Sequence, residues 1–270
     1  MNSSPVTPEG LMPEIVAQLG ISAEWARAAA GTPKMGEWQE DLCLHYRAMA
    51  ICVLVSDGDV DGFFHWLLHS PIMRRFYLRT TGARSPGQLQ YARASFVDPV
   101  LDAVVARQWK LAVDIGAATC PDWLDGIEYE DDFCYGDFIR RAVSQDDAGI
   151  AAVLARWRAA LEGGDDVRLE IAEALHQKKV DAFERSLVAM LEAREATAMK
   201  MTDPEMRSPL ASELPFYPNR WVSIDALAFL AIAERQGLLV DGELLACPRL
   251  VRAGQYAPFR SLGYPDQGLD

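Results

Sequence analysis

Residues 38–55 read Trp-Gln-Glu-Asp-Leu-Cys-Leu-His-Tyr-Arg-Ala-Met-Ala-Ile-Cys-Val-Leu-Val. Leu42, Cys43, His45, Tyr46, Met49, Ala50, Cys52 and Val53 recur at intervals of three and four, a broad apolar stripe with the 3.6-residue period of a helix. A stripe this wide predicts a core helix. Working outward, Ser70-Pro71 and Asp98-Pro99 each place a capping side chain before a proline at the first helical position, where the missing N–H costs nothing. Ser85-Pro86-Gly87-Gln88 has the form of a capping box. Ser223 with Asp225 in front, and Gly237 behind, bracket a late helix. No convincing run of alternating apolar and polar residues reads as a strand, so the expected class is all-α.

Three short polar corners separate apolar helix patterns: Ala106-Arg107-Gln108-Trp109-Lys110, Val143-Ser144-Gln145-Asp146-Asp147 and Leu175-His176-Gln177-Lys178-Lys179. Their glutamines are 37 and 32 residues apart. That period suggests stacked helix hairpins in a solenoid-like array, with an irregular helical bundle as the alternative. A single helical domain is expected over 1–270. Residues 204–217 read as a proline-rich connection, and 252–270 as an irregular tail pinned by Tyr256, Phe259 and Tyr264.

The chain has 270 residues, 50% of them hydrophobic and 24% charged, enough apolar surface to offset chain entropy. Lys and Arg number 26 against 39 Asp and Glu, a net charge of −13 that argues against a nucleic-acid partner and for a basic one. No apolar run is long enough to span a membrane, and the first residues carry no secretory pattern, so a cytoplasmic protein without a membrane partner is expected. Cys43, Cys52, Cys120, Cys134 and Cys247 form an odd set without a C-x-x-C pair, which predicts reduced, buried thiols.

Several chemistries fail on their own spacing. Asp57, Asp59, Asp61 and Gly62 match the first half of a calcium loop, but Leu68 stands where a bidentate Glu is required. An acidic helix start explains those residues instead. His65 and His69 are four apart, yet Trp66 replaces the Glu of a zinc protease and no third ligand presents itself. No nucleophile elbow, P-loop or dinucleotide-binding glycine motif occurs. Cys134, set among carboxylates, is a poor nucleophile. Neither catalysis, a metal nor a cofactor is therefore expected.

From Asp122 to Phe138 the chain carries seven carboxylates and five aromatics with no Lys or Arg, more than half of the net charge. Asp131-Asp132 followed by Asp137 is faintly similar to an aspartate-rich magnesium motif, but a second metal motif and basic residues for a diphosphate are missing. Protein recognition suits the run better: charge speeds encounter with a basic surface, and aromatic rings supply desolvated anchors. The candidate partner-binding residues are Asp125, Glu128, Tyr129, Glu130, Asp131, Asp132, Tyr135 and Asp137, with Tyr129 or Tyr135 inserting. A solvated acidic helix start, with Phe133, Tyr135 and Phe138 in the core, is the structural alternative.

Glu128–Phe138 together with Ser223–Leu238, the latter reading Ser-Ile-Asp-Ala-Leu-Ala-Phe-Leu-Ala-Ile-Ala-Glu-Arg-Gln-Gly-Leu, resembles the helical immunity proteins of bacterial polymorphic toxin systems, most closely the immunity protein 49 family. The resemblance covers about residues 95–250 and leaves the N-terminal third unmatched. It implies a cytoplasmic antitoxin that binds a cognate effector tightly, often a nuclease of a contact-dependent or type VI secretion system; the mechanism expected from the acidic run is steric occlusion of the toxin's active site. It carries over no contact residues; those named above rest on charge and aromatic content. The competing expectation is a helical-repeat scaffold that holds a peptide in a groove, and homo-oligomerisation stays open.

Overall fold

In the computed structural model the apolar stripe of residues 38–55 lies on α2, Met35–Asp57, ended by Gly58 in the left-handed region at φ 66°. Residues 6–80, 86–201 and 213–260 are described. Among them every regular element is helical: α1 (Pro8–Ala28), α2, α3 (Val60–Thr80), α4 (Pro86–Leu89) with a 3-10 turn (Gln90–Ala92), α5 (Asp98–Val105), α6 (Trp109–Ala118), α7 (Glu130–Ser144), α8 (Asp147–Ala160), α9 (Val167–His176), α10 (Val180–Met201), α11 (Glu213–Trp221), α12 (Ile224–Arg235) and α13 (Arg249–Arg252). The all-α class holds.

The three glutamine corners are real, and one backbone device makes them. Arg107, Gln145 and Lys178 take φ of 57°, 59° and 55°. The amide that follows each one closes back on the preceding helix: Gln108 N to Ala103 O at 2.8 Å, Asp146 N to Arg141 O at 3.0 Å, Lys179 N to Ala174 O at 2.9 Å. This is the Schellman closure, which satisfies a helix-end carbonyl and reverses the chain within a residue or two. Gly237, at φ 82°, makes the same closure after α12 through Leu238 N to Ala233 O, and of the four it alone is the residue type that the conformation favours.

The corners fold α5–α6, α7–α8 and α9–α10 into hairpins that stack in sequence, with α6 against α7 and α8 against α9. α1, α2 and α3 form the other wall. The array is not open: α11 returns to α2 and α12 to α5. Ser223 caps α12 as expected, its hydroxyl accepting from Ala226 N at 3.3 Å. Three expectations are corrected. Asp98 does not cap α5: the helix follows Val97 and begins with Asp98 itself, Pro99 is its second residue, and the Asp98 carboxylate pairs with Arg47 instead. Ser70-Pro71 starts no helix, because α3 runs through it with Pro71 inside; the Ser70 hydroxyl instead donates to Asp102 at 2.6 Å, and packing along α2 outweighs the lost backbone bond. The proline-rich connection ends early, since residues 213–217 already belong to α11. Ser85 of the capping box, residues 204–212 and Tyr264 lie outside the described residues.

Charge is buried at the centre. Arg47, inside the apolar stripe of α2, donates Nε to Asp102 at 2.7 Å and its terminal nitrogens to the Asp98 carboxylate and carbonyl. Asp102 has no exposed surface, and burial pushes its carboxyl up to about 7 against the pull of Arg47 and Ser70. Arg74 is equally enclosed; its guanidinium donates to the Tyr91 carbonyl and lies 4.8 Å from the Phe96 ring. Burial holds its pKa down at about 10.

Three outcomes follow. Lys178 is exposed, so Lys178→Gly relieves the left-handed strain without touching the core and is expected to add about 1 kcal/mol, roughly 2–4 °C in Tm by calorimetry. Arg47→Leu strands the buried Asp102 and is expected to cost about 3–5 kcal/mol in urea unfolding, most of it regained in Arg47→Leu/Asp102→Leu. The raised Asp102 carboxyl binds its proton more tightly folded than unfolded, so its contribution is complete below the unfolded value of 3.8 and is lost as pH rises through about 7. Wild type should therefore lose stability relative to Asp102→Asn between pH 4 and 7, whatever the opposing trend from His45, whose pKa burial holds down.

Candidate partner-binding surface

The chain between α6 and α7, residues 119–129, is a braced loop. Glu128 is its keystone: one carboxylate oxygen accepts from Leu124 N at 3.2 Å and the other from Ser95 N at 2.9 Å, while its carbonyl accepts from Trp123 Nε1 at 3.0 Å. Gly126 turns the chain at φ 75°, and Cys120 N donates to Ala92 O at 2.8 Å at the loop's foot. So braced, the loop presents Tyr129 at 78% exposure and Ile127 at 47%, with Asp122 and Asp125 beside them in solvent. Neither aspartate makes an ion pair among the described residues. A concave surface runs along Trp123, Asp125, Ile127, Tyr129 and Glu130.

The carboxylates that follow are already engaged. Glu130 pairs with Arg156 Nε at 2.7 Å. Asp132 lies 3.0 Å and Asp131 3.8 Å from Arg168, which also holds Asp166 at 2.9 Å. The run has no cation in sequence, but α8 and the start of α9 lay two over it. Arg156 covers the Phe133 ring at 4.7 Å and Arg168 the Tyr135 ring at 5.0 Å, so each arginine spends its charge on acids and its flat face on aromatics. Close backbone approach fixes the middle of α7 as well: a Cβ on Gly136 would come within 2.1 Å of the Ala94 carbonyl oxygen.

Two expected contact residues are removed from the surface. Tyr135 is 4% exposed and donates its hydroxyl to Asp225 at 3.0 Å, tying α7 to α12. Asp137 is 5% exposed and accepts from Arg140 Nε and Arg141 Nε, each at 2.9 Å. Both face inward because positions 133–139 of α7 pack on the core. Asp125, Tyr129, Glu130, Asp131 and Asp132 stay at the surface or its edge; Glu128 is the internal brace. Ile127 was missed by sequence reasoning, and only its place between Gly126 and Glu128 hints that it is outside the helix.

The other motifs resolve structurally. Asp59 accepts from Gly62 N at 2.8 Å, so the calcium-like segment caps the start of α3. His65 and His69 face one another with ring centres 5.1 Å apart, and Phe259 packs against both. Among the described residues no three His, Cys, Asp or Glu are grouped to hold a metal ion, and no helix is long and apolar enough to cross a membrane. All five cysteines are free and buried, with the Cys134 thiol pushed up to about 12 by burial. No protein-family model, curated protein or solved structure matches the chain.

Proposed function

We propose that this chain is an immunity protein: a stoichiometric, non-catalytic inhibitor that binds a cognate basic toxin, of the nuclease kind, through the 122–132 face and occludes its active site in the cytoplasm. One observation carries the reading, the exposure of Tyr129 and Ile127 on a loop that is both acidic and braced from within. A large aromatic on a preorganised loop binds with little loss of conformational entropy, and such residues dominate the energetics of protein interfaces. Asp122 and Asp125 supply a negative rim that speeds encounter with Lys and Arg of the partner. The resemblance to immunity proteins in Glu128–Phe138 and Ser223–Leu238 supports the same reading.

The test is a tagged pull-down from the protein's own source across a salt series, read by mass spectrometry beside a Tyr129→Ala bait. The expected result is one near-stoichiometric basic protein, encoded next to this chain and toxic when expressed without it. Tyr129→Ala should weaken its binding by about 2 kcal/mol, some 30-fold, and salt should slow association more than it speeds release. A bound set unchanged by Tyr129→Ala, or association rates equal at low and high salt, overturns the proposal.

A further inference from the structure

Beyond α13 the chain continues without helix or strand through residues 254–260 and lies across α3. Gly254, at φ 61°, lets it pass the corner of α5 so closely that a Cβ there would meet Arg107 Cγ at 2.8 Å. Tyr256 then stacks on the buried Phe64 ring at 4.3 Å and 22°. Its hydroxyl is used twice, donating to the Ala106 carbonyl at 2.7 Å and accepting from Gln108 Nε2 at 2.8 Å. The Ala106 carbonyl belongs to the orphan set at the end of α5, so the phenol completes a helix terminus. One residue on, Ala257 N donates to the Asp61 carboxylate at 2.6 Å. Two residues further, Phe259 stacks on His65 at 5.4 Å and lies 5.0 Å from the buried His69 ring.

These contacts repeat the logic of peptide-recognition domains: a hydrogen-bonded tyrosine pocket, one fixed backbone donor, and an aromatic slot three residues after the tyrosine. Side chains carry the attachment. Gln255, Ala257, Pro258 and Arg260 stay exposed, and the one backbone bond from 255–260 to α3 among those described is that of Ala257. From these contacts we infer that the face formed by Asp61, Phe64, His65, His69, Ala106 and Gln108 is a recognition groove for a Tyr-x-x-Phe peptide with a following basic residue. The chain's own Tyr256–Arg260 occupies it as a displaceable resident. Arg260 borders the same concavity as Asp61 and His65, where a cation is complementary to the Asp61 carboxylate. Because the resident is tethered through Gly254, it competes at an effective concentration of about millimolar, so a partner gains the groove only with a further anchor or after the tail is drawn away.

This inference shares no residue with the acidic loop, and its failure leaves the toxin-binding proposal untouched. The experiment uses the full chain carrying Tyr256→Ala/Phe259→Ala, with helicity and Tm checked first. A fluorescein-labelled peptide of residues 254–260, Gly-Gln-Tyr-Ala-Pro-Phe-Arg, is titrated by anisotropy. Saturable binding is expected, at least about tenfold tighter to the variant than to wild type, because wild type must first release its tail. The same peptide with Phe for Tyr should bind about tenfold or more weakly, since the pocket then leaves its Ala106 and Gln108 partners unmade. A folded variant that fails to bind at millimolar peptide, equal binding to variant and wild type, or indifference to the tyrosine hydroxyl overturns the inference. Should the double variant lose its cooperative unfolding transition, Tyr256→Phe, which keeps the ring stack, takes its place with the same ordering expected.

Discussion

Arg47 is the constraint around which the two walls of the molecule are set. A guanidinium in the middle of the most apolar helix is tolerable only where carboxylates meet it, and Asp98 and Asp102 do so from the first turns of α5. Asp102 in turn accepts from Ser70 on α3. Three helices from two walls are thus held at one point by bonds that demand fixed geometry, whereas apolar contacts around them would tolerate sliding. Nearby, Cys43 Sγ donates to the Ser70 carbonyl at 3.3 Å, beside the proline that interrupts the backbone ladder of α3. The Ser70 hydroxyl and carbonyl, beside Pro71, are therefore engaged within the same few ångströms as the charge introduced by Arg47, and these tertiary bonds hold α3 against α2 and α5 through a sequence that reads as a helix start.

How much of this was legible depends on whether the deciding contacts are local. Helix periodicity, the Ser223 cap, the Gly237 stop and the polar corners are written in consecutive residues, so the all-α class and the positions of the hairpins could be read. The exact turning residue could not be read in full: two of the three corners turn one residue away from the glutamine that flags them, at Arg107 and Lys178. The nature of the acidic run was half legible. Its carboxylates and aromatics are contiguous, but Arg156 and Arg168 arrive from 18 or more residues beyond it, and no local pattern marks them as its counter-ions. Tyr135 and Asp137 failed as surface candidates for a related reason. Their burial depends on Asp225, and on α7 turning its 133–139 face to the core, and both are facts of tertiary packing.

The distribution of charge has a structural share that can be separated from any functional one. Contacts at both ends show α5, α7, α9 and α12 running in one direction. Arg168 joins the first turn of α7 to the cap of α9, Tyr135 joins α7 to Asp225 at the start of α12, and Arg47 feels both Asp98 at the start of α5 and that same Asp225. At the opposite end Gln145, Lys178 and Arg235 line one groove, and Arg107 meets Glu234. Four helix dipoles therefore add, and the side chains follow them: Asp98, Glu130 to Asp132, Asp166 and Asp225 sit at the positive ends, and Arg107, Arg141, Lys178 and Arg235 at or beside the negative ends.

Asp131 and Asp132 are needed where they are by the dipole of α7 and by Arg168, so their presence alone says little about a partner. Glu128 is needed to hold the loop. The side chains of Asp122, Asp125, Ile127 and Tyr129 answer to none of these demands: among the described residues Tyr129 stands at the N-cap of α7 without a side-chain capping bond, neither aspartate pairs with an arginine, and all four are exposed. An exposed tyrosine and isoleucine on a braced loop, next to two aspartates that make no ion pair among the described residues, lower the solubility of the free chain without strengthening its fold, a combination that makes physical sense when a second surface covers them.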